Sequence, residues 1–342
     1  MKTIQFVSLV VCMFACGAAS TQSNKTTPSF VVARRFAIGG EGGWDCLTFD
    51  STTHRLYVTR SSHVMVVDAE NGAVVGDIAN TPGVHGVAIA PKLHKGFISC
   101  GREDSVLVFD TQSLKEIERI RVGANPDVIV FDPSTNLIVA ANGRSNDATA
   151  IDASTDKVKG TIALGGKPEF AVPDGRGDLF VNLEDSNQVA EVSLKALKVV
   201  RSWPLAPAEG PTGVAFDKKH SVIFSTCGNG LAAVSDAKAG RLIGTAKIGN
   251  GPDGAAFDPE LGLFFSPNGQ DGTLSILKRS AAGGFELVQE LATQKSARTI
   301  AFDSQTHTIY LMAAEFEPPA SGQGRGRMIP GSAVILVIRP KS

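Results

Sequence analysis

The chain has 342 residues, 43% of them hydrophobic and 20% charged, and its 33 Lys and Arg nearly balance 34 Asp and Glu to leave a formal net charge of -1. That balance excludes the broad basic face that holds nucleic acid by its phosphates. Length alone does not set the domain count, because all-β rings of this size fold as one unit.

Residues 1–20 read as an export signal. Lys2 precedes an apolar run over residues 4–15 that is too short to span a bilayer, and Gly17 to Ser20 offers small residues for cleavage. A periplasmic or secreted protein is expected. The tetrapeptide ending at Cys16 loosely matches a lipobox, which leaves a lipid anchor at Cys16 as the alternative. No later apolar run approaches the ~20 residues of a membrane helix. Three cysteines follow the signal, Cys46, Cys100 and Cys227. Their wide spacing fits buried thiols better than a disulfide framework or a metal knuckle, with one disulfide plus a free thiol as the other option.

After a short linker over residues 21–29, a strand is expected over residues 30–40. The glycine-rich stretch GGEGGWDCLTFD (residues 39–50) then opens a pattern that returns throughout the chain. LTFDSTTHRLYVTR (residues 47–60) is an alternating run, a polar turn and a second alternating run. The phrase recurs as AIAPKLHKGFIS, IVFDPSTNLIVA, AVPDGRGDLFVN, VAFDKKHSVIFS, AAFDPELGLFFS and IAFDSQTHTIYL. Anchored on Asp50, Pro91, Asp132, Asp174, Asp217, Asp258 and Asp303, the units are spaced by 41, 41, 42, 43, 41 and 45 residues.

Within the units, a third and fourth alternating run surround Asx- or Gly-containing turns, and helical periodicity is weak. Four short antiparallel strands per ~42 residues is one blade of a propeller, so the fold class is an all-β, seven-bladed β-propeller over residues 30–342. The seventh unit ends on its third strand, AVILVIRP (residues 333–340), so the strand over residues 30–40 is expected to complete it as the outer strand and close the ring.

LYVTR (residues 56–60), VVDAENGAVVG (residues 66–76) and GANPDVIVFDPSTN (residues 123–136) resemble the YVTN-type repeat of exported bacterial propellers similar to YncE, with Arg60 in place of the final Asn. The resemblance covers nearly all of the chain after the signal. It implies a seven-bladed propeller in the periplasm or at the cell surface, and little chemistry.

In a propeller the loop leading into each inner strand and the loop joining strands two and three open on one face. Five residues before each anchor stand Asp45, Gly86, Asp127, Glu169, Thr212, Asp253 and Arg298; one residue earlier stand Trp44, His85, Pro126, Pro168, Pro211, Pro252 and Ala297. Four blades thus aim a carboxylate at the axial mouth, beside Arg298 and, from the neighbouring position, His85, while the prolines stiffen the approach. A ring of like charges is costly unless solvated, paired or bound to a cation. A divalent cation such as calcium on Asp45, Asp127, Glu169 and Asp253 is one solution; carboxylates capping their own turns are the structural one.

Glu41 and Trp44 complete the candidate mouth. Arg60, Arg102 and Arg144 recur in consecutive blades as a candidate anion-binding arc, with Asn142 beside them. Residues 315–332 replace a short loop of blade 7 with a longer Gly- and Pro-rich one, compatible with a binding loop or with disorder.

No hydrolase, metalloprotease, redox or nucleotide-binding motif occurs after the signal. The stretch near Glu41 is followed by no helix, so it lacks the field of a phosphate loop. The favoured function is binding of a small polar ligand, peptide or protein on the axial face, without evident catalysis and as a monomer. One alternative is a metal-assisted hydrolase, similar to calcium-dependent lactonase propellers, which generally have six blades. Its ligands would be Glu41, Asp45, Asp127, Glu169 and Asp253, with Asn142 and Asn268 auxiliary and His85 as a base. A surface adhesion scaffold is the other.

Overall fold

A computed structural model describes residues 27–280, 284–318 and 326–341. The signal segment and Cys16 lie outside the described residues. Among the described residues, no helix is long and apolar enough to cross a membrane.

The chain forms seven four-stranded antiparallel sheets. Their inner strands are Leu47–Asp50, Val84–Ala90, Pro126–Asp132, Pro168–Pro173, Pro211–Asp217, Ala256–Asp258 and Ile300–Asp303, which define blades 1 to 7. In blade 7 the first three strands are consecutive, and the outer strand is Phe30–Ala37, paired from Phe30↔Pro340 to Ala37↔Val334. The ring is closed by its N-terminal strand, as the repeat count requires.

What holds the ring together is the two-residue period of its strands. In blade 3, Ile138 faces blade 2 and Val139 faces blade 4, because successive side chains leave a strand on opposite sides. Repeated around the axis, this gives an apolar cluster at each of the seven blade interfaces, including one between blades 7 and 1 that joins Phe36, Leu56, Tyr310 and Val337. No blade buries its own two faces; stacking does it.

The anchor aspartates are turn caps. Asp258 Oδ1 accepts from the amides of Glu260 at 3.0 Å and Leu261 at 2.9 Å, and Asp217 Oδ1 does the same for Lys219 and His220. In blades 1, 3, 5 and 7 the chain turns left-handed four residues past the anchor, at His54 (φ 51°), Asn136 (58°), Ser221 (57°) and His307 (55°). Blade 2 obeys the same geometry only if its anchor is Ala90, since its left-handed residue is His94 (φ 53°). Its pairing agrees: Ala90 faces Lys95 as Asp132 faces Leu137. Pro91 instead starts a 3-10 turn, Pro91–Leu93, the sole helical element among the described residues. The sequence-based register of blade 2 is therefore off by one.

Cys46, Cys100 and Cys227 are free thiols. Cys100 and Cys227 are buried at matching ends of second strands, the disposition expected of core cysteines.

Candidate functional site

The corrected register redraws the mouth. Five residues before the anchors of blades 1 to 7 now stand Asp45, His85, Asp127, Glu169, Thr212, Asp253 and Arg298. His85, not Gly86, occupies the blade 2 place. In blades 2 to 5 the pairing with the second strand breaks between Val84 and Val87, Pro126 and Ile129, Pro168 and Ala171, and Pro211 and Val214. His85, Asp127, Glu169 and Thr212 fall in those breaks, out of the ladder. The second-to-third loops meet the same rim: Gly143 N donates to Asn125 O and Gly269 N to Gly251 O, each at 2.9 Å.

Within the ring, His85 Nδ1 lies 2.7 Å from Asp45 Oδ2 and 3.5 Å from Asp127 Oδ1. Arg298 Nε donates to Asp253 Oδ2 at 2.5 Å, and its guanidinium reaches Asp45 Oδ1 at 3.6 Å. Glu169 is served least. Lys167 Nζ stands 3.7 Å from Glu169 Oε2 but makes its short contact with Glu184, and Oε2 is buried without a hydrogen bond. Thr212, next round the ring, donates its hydroxyl to Pro252 O and contacts Thr226. None of the four mouth carboxylates accepts a hydrogen bond from a backbone amide among the described residues, in contrast to the anchor aspartates. Turn capping therefore does not account for them.

Burial sets the electrostatics. Desolvation, reinforced by Asp127 and Glu184, pushes the Glu169 carboxyl up to about 8. Desolvation also raises Asp127 and Asp253 to about 6, against the pull of His85 and Arg298 respectively. At His85 burial opposes the charge, but the Asp45 hydrogen bond and the Asp127 carboxylate outweigh it and hold the imidazole above its ordinary value. Beneath the rim, burial and the neighbouring carboxylates hold the Cys46 thiol protonated.

Other expected site residues take different places. Trp44 is buried as a wedge between blades: its ring packs 5.9 Å from Phe316, and the Arg298 guanidinium lies over it at 5.9 Å. Arg60 is fully buried and donates to Gly39 O at 2.8 Å and Gly42 O at 3.1 Å, clamping the glycine-rich loop. It does not join an anion arc with Arg102 and Arg144, which are exposed and form no ion pair among the described residues. Glu41 is exposed on that loop. The Asn142 and Asn268 side chains are consumed inside their blades, donating to Asp147 and Thr149, and to Thr273 and Ser275. Of the four acids assigned to a cation, only Asp45 and Asp127 come together, and the third member of their group is His85; ligand-capable atoms of these three lie within 4.8 Å of one another.

The mouth opens on one side into a cavity of about 1100 Å³ between blades 6 and 7, lined by Asp253 and Arg298 at its inner end and by Gln270, Gln294 and Lys295 on the blade 6 side. Its far wall is the long loop of blade 7, whose described part is a hairpin: Phe316 bridges Met328, Glu317 N donates to Arg327 O at 2.8 Å, and Ile329 N to Glu315 O at 2.9 Å. The stem is ordered by Phe316 packing on Trp44, so blade 7 is tied to blade 1. Neither Lys167 nor Gln270 carried a sequence signal; both become visible once the loops leading into blades 4 and 6 are placed opposite the second-to-third loops.

No family model matches this chain, and no curated protein matches it. Among solved structures it resembles a chain of the Kuenenia stuttgartiensis hydrazine synthase, with 20% identity, a TM-score of 0.70 and coverage of 79% of this chain and 92% of that one. It also resembles a chain of the mitotic checkpoint complex, with 14% identity, a TM-score of 0.74 and 99% coverage of both. The WD40 repeats of RRP9 align at 11% identity and a TM-score of 0.74, over 92% of this chain and 99% of that one. These likenesses establish the seven-bladed propeller and leave the function open.

Proposed function

We propose that this chain is an exported, YVTN-like binding propeller that holds a polar ligand bearing a cationic group, free or as part of a peptide or protein, at its axial mouth. The observation that carries this reading is the set of mouth carboxylates, Asp45, Asp127, Glu169 and Asp253, which cap no turn and outnumber the cations beside them, His85, Arg298 and a Lys167 that is shared with Glu184. A ligand cation would balance Asp45, Asp127 and Asp253, which exceed His85 and Arg298 by one charge, and would offer a donor to Glu169 Oε2. Thermal-shift screening of amines, guanidines and blocked basic peptides tests it. Hits are expected to weaken by about tenfold or more in Asp127→Asn/Glu169→Gln, the loss of one charge-assisted hydrogen bond. Hits indifferent to both substitutions would sink the reading.

One observation favours a second reading, the Asp45, His85 and Asp127 group. Two carboxylates and an imidazole suit a divalent cation, which would supply Lewis-acid chemistry for hydrolysis. His85 would then have to give up the proton that Asp45 and Asp127 favour. Elemental analysis of the purified protein, with melting curves before and after chelation, separates the two. A stoichiometric metal lost together with stability in Asp127→Ala supports the hydrolase; its absence, with chelation leaving the melting temperature unmoved, returns the mouth to ligand binding.

A further inference from the structure

We infer that the base of blades 4 and 5, on the face opposite the axial mouth, docks the protein on an anionic lipid surface. Inner strands run from the mouth to the base, so the turns after the first and third strands of each blade lie on the base. In blades 4 and 5 these turns carry Arg176, Lys195, Lys198, Lys218, Lys219 and Lys238, and Arg241 closes the last of them. All seven are exposed, and none forms an ion pair among the described residues. The carboxylates of the same turns are Asp174, Asp178, Asp217 and Asp236. Three of them are turn caps: Asp174 accepts from the amides of Arg176 and Asp178, Asp217 from those of Lys219 and His220, and Asp236 from those of Lys238 and Ala239. Glu191, close by, is paired with Arg201. The base of these two blades is therefore a positive sector in a chain whose net charge is -1.

Shape and chain path select a lipid surface over other acidic partners. The hollow between the base turns of blades 4 and 5 holds about 160 Å³, too little to seat a polymer, so the cations stand side by side on turn tips as a flat array of headgroups requires. The chain also enters the described structure on this face. Lys278 Nζ donates to Thr27 Oγ1 at 2.8 Å, and Phe30 opens the outer strand of blade 7 at its base end, opposite Pro340. Whatever the segment before residue 27 is fastened to, including a lipid on Cys16, lies on the base side. The mouth carboxylates are on the far face, where the same surface repels them, so the docked molecule turns its mouth to solvent. Docking of this kind does not depend on what the mouth holds.

The test is co-sedimentation of the purified protein with vesicles of phosphatidylcholine, alone or mixed with about one-third phosphatidylglycerol. Binding to the anionic vesicles is expected at low salt and should weaken as salt is raised, with none to the neutral ones. Lys218→Glu/Lys219→Glu is expected to weaken it by at least about tenfold, and Arg102→Glu/Arg144→Glu, the same charge change at exposed positions on the mouth face, by less than about twofold. Both variants should keep the parent melting curve. Equal binding to neutral vesicles, equal weakening by the two reversals, or no binding at low salt would overturn the inference. If soluble polyglutamate at the same anion concentration strips the protein from the vesicles, the base recognises an acidic polypeptide and the lipid assignment falls.

Discussion

At the residue scale, the chain uses the same side chain for two purposes that composition cannot distinguish. An aspartate at an anchor is buried because turn amides satisfy it; a carboxylate at the mouth is half-buried while facing other charges. Glu169 is the extreme case, with its side chain 18% exposed and its carboxyl raised from an ordinary value near 4.5 to about 8. Between these values the folded chain keeps a proton that the unfolded chain releases. Its contribution to stability is thus fully present below pH ~4.5 and is lost as pH rises through ~8. The raised His85 works in the same direction. Glu169→Gln is therefore expected to match the parent near pH 5 and to exceed it at pH 9 by on the order of 1–3 kcal/mol. Denaturant melts at the two pH values check this, and a variant less stable at pH 9 would contradict the assigned burial. Asp132→Ala, by contrast, removes the acceptor for the Thr135 amide and for the Ser134 and Thr135 hydroxyls. It should cost about 1–3 kcal/mol at neutral pH, the usual scale for losing hydrogen bonds to a charged acceptor.

At the element scale, blades were legible because their signals are local and recur around the ring: two alternating runs joined by a polar turn in all seven units, and an Asp at the anchor in six of them. The mouth was legible only as far as the register held. The repeat places the blade 2 anchor on Pro91 and so His85 one position away, because no aspartate marks the true anchor, Ala90. Arg60 could not be read correctly, since its guanidinium answers to the carbonyls of Gly39 and Gly42, distant partners that no spacing reveals. The blade 7 hairpin was visible as an insertion but not as structure, because its order comes from Phe316 meeting Trp44 across the ring closure. That dependence is testable. Replacing residues 315–329 by a short Asn-Gly turn should preserve the strands Thr308–Ala313 and Val334–Pro340, and hence the propeller. Because Trp44 would lose one face of its packing, the melting temperature should drop by a few degrees, the scale of about 1 kcal/mol in a chain of this length. A large loss of β-sheet circular dichroism in that variant would show that the hairpin is part of the fold.

At the scale of the whole molecule, stability depends on closure, since every apolar cluster is shared by two blades and the one between blades 7 and 1 exists only if the ends meet. The outer strand Phe30–Ala37 supplies Phe36 to that cluster and Phe30 to the next one, between blades 6 and 7. Removing it bares the edge of Val334–Pro340 and takes a large aromatic from each of two interfaces, at about 3–5 kcal/mol per ring by analogy with core Phe-to-Ala changes. A chain starting at Gly39 should lose cooperative unfolding or aggregate. The strand need not come first in the chain, however. Lys341 N donates to Ser29 O at 2.7 Å, so the end of blade 7 already touches the start of its outer strand. A circular permutant that begins at Gly39 and carries residues 27–38 after residue 341 through a two- or three-residue linker turns blade 7 into an ordinary consecutive blade. It contains every contact of the parent, and the short loop adds little closure entropy. Its melting temperature should lie within a few degrees of the parent, whereas the simple deletion should show no native transition. If permutant and deletion behave alike, the order of strands in the chain, and not closure of the ring, limits folding.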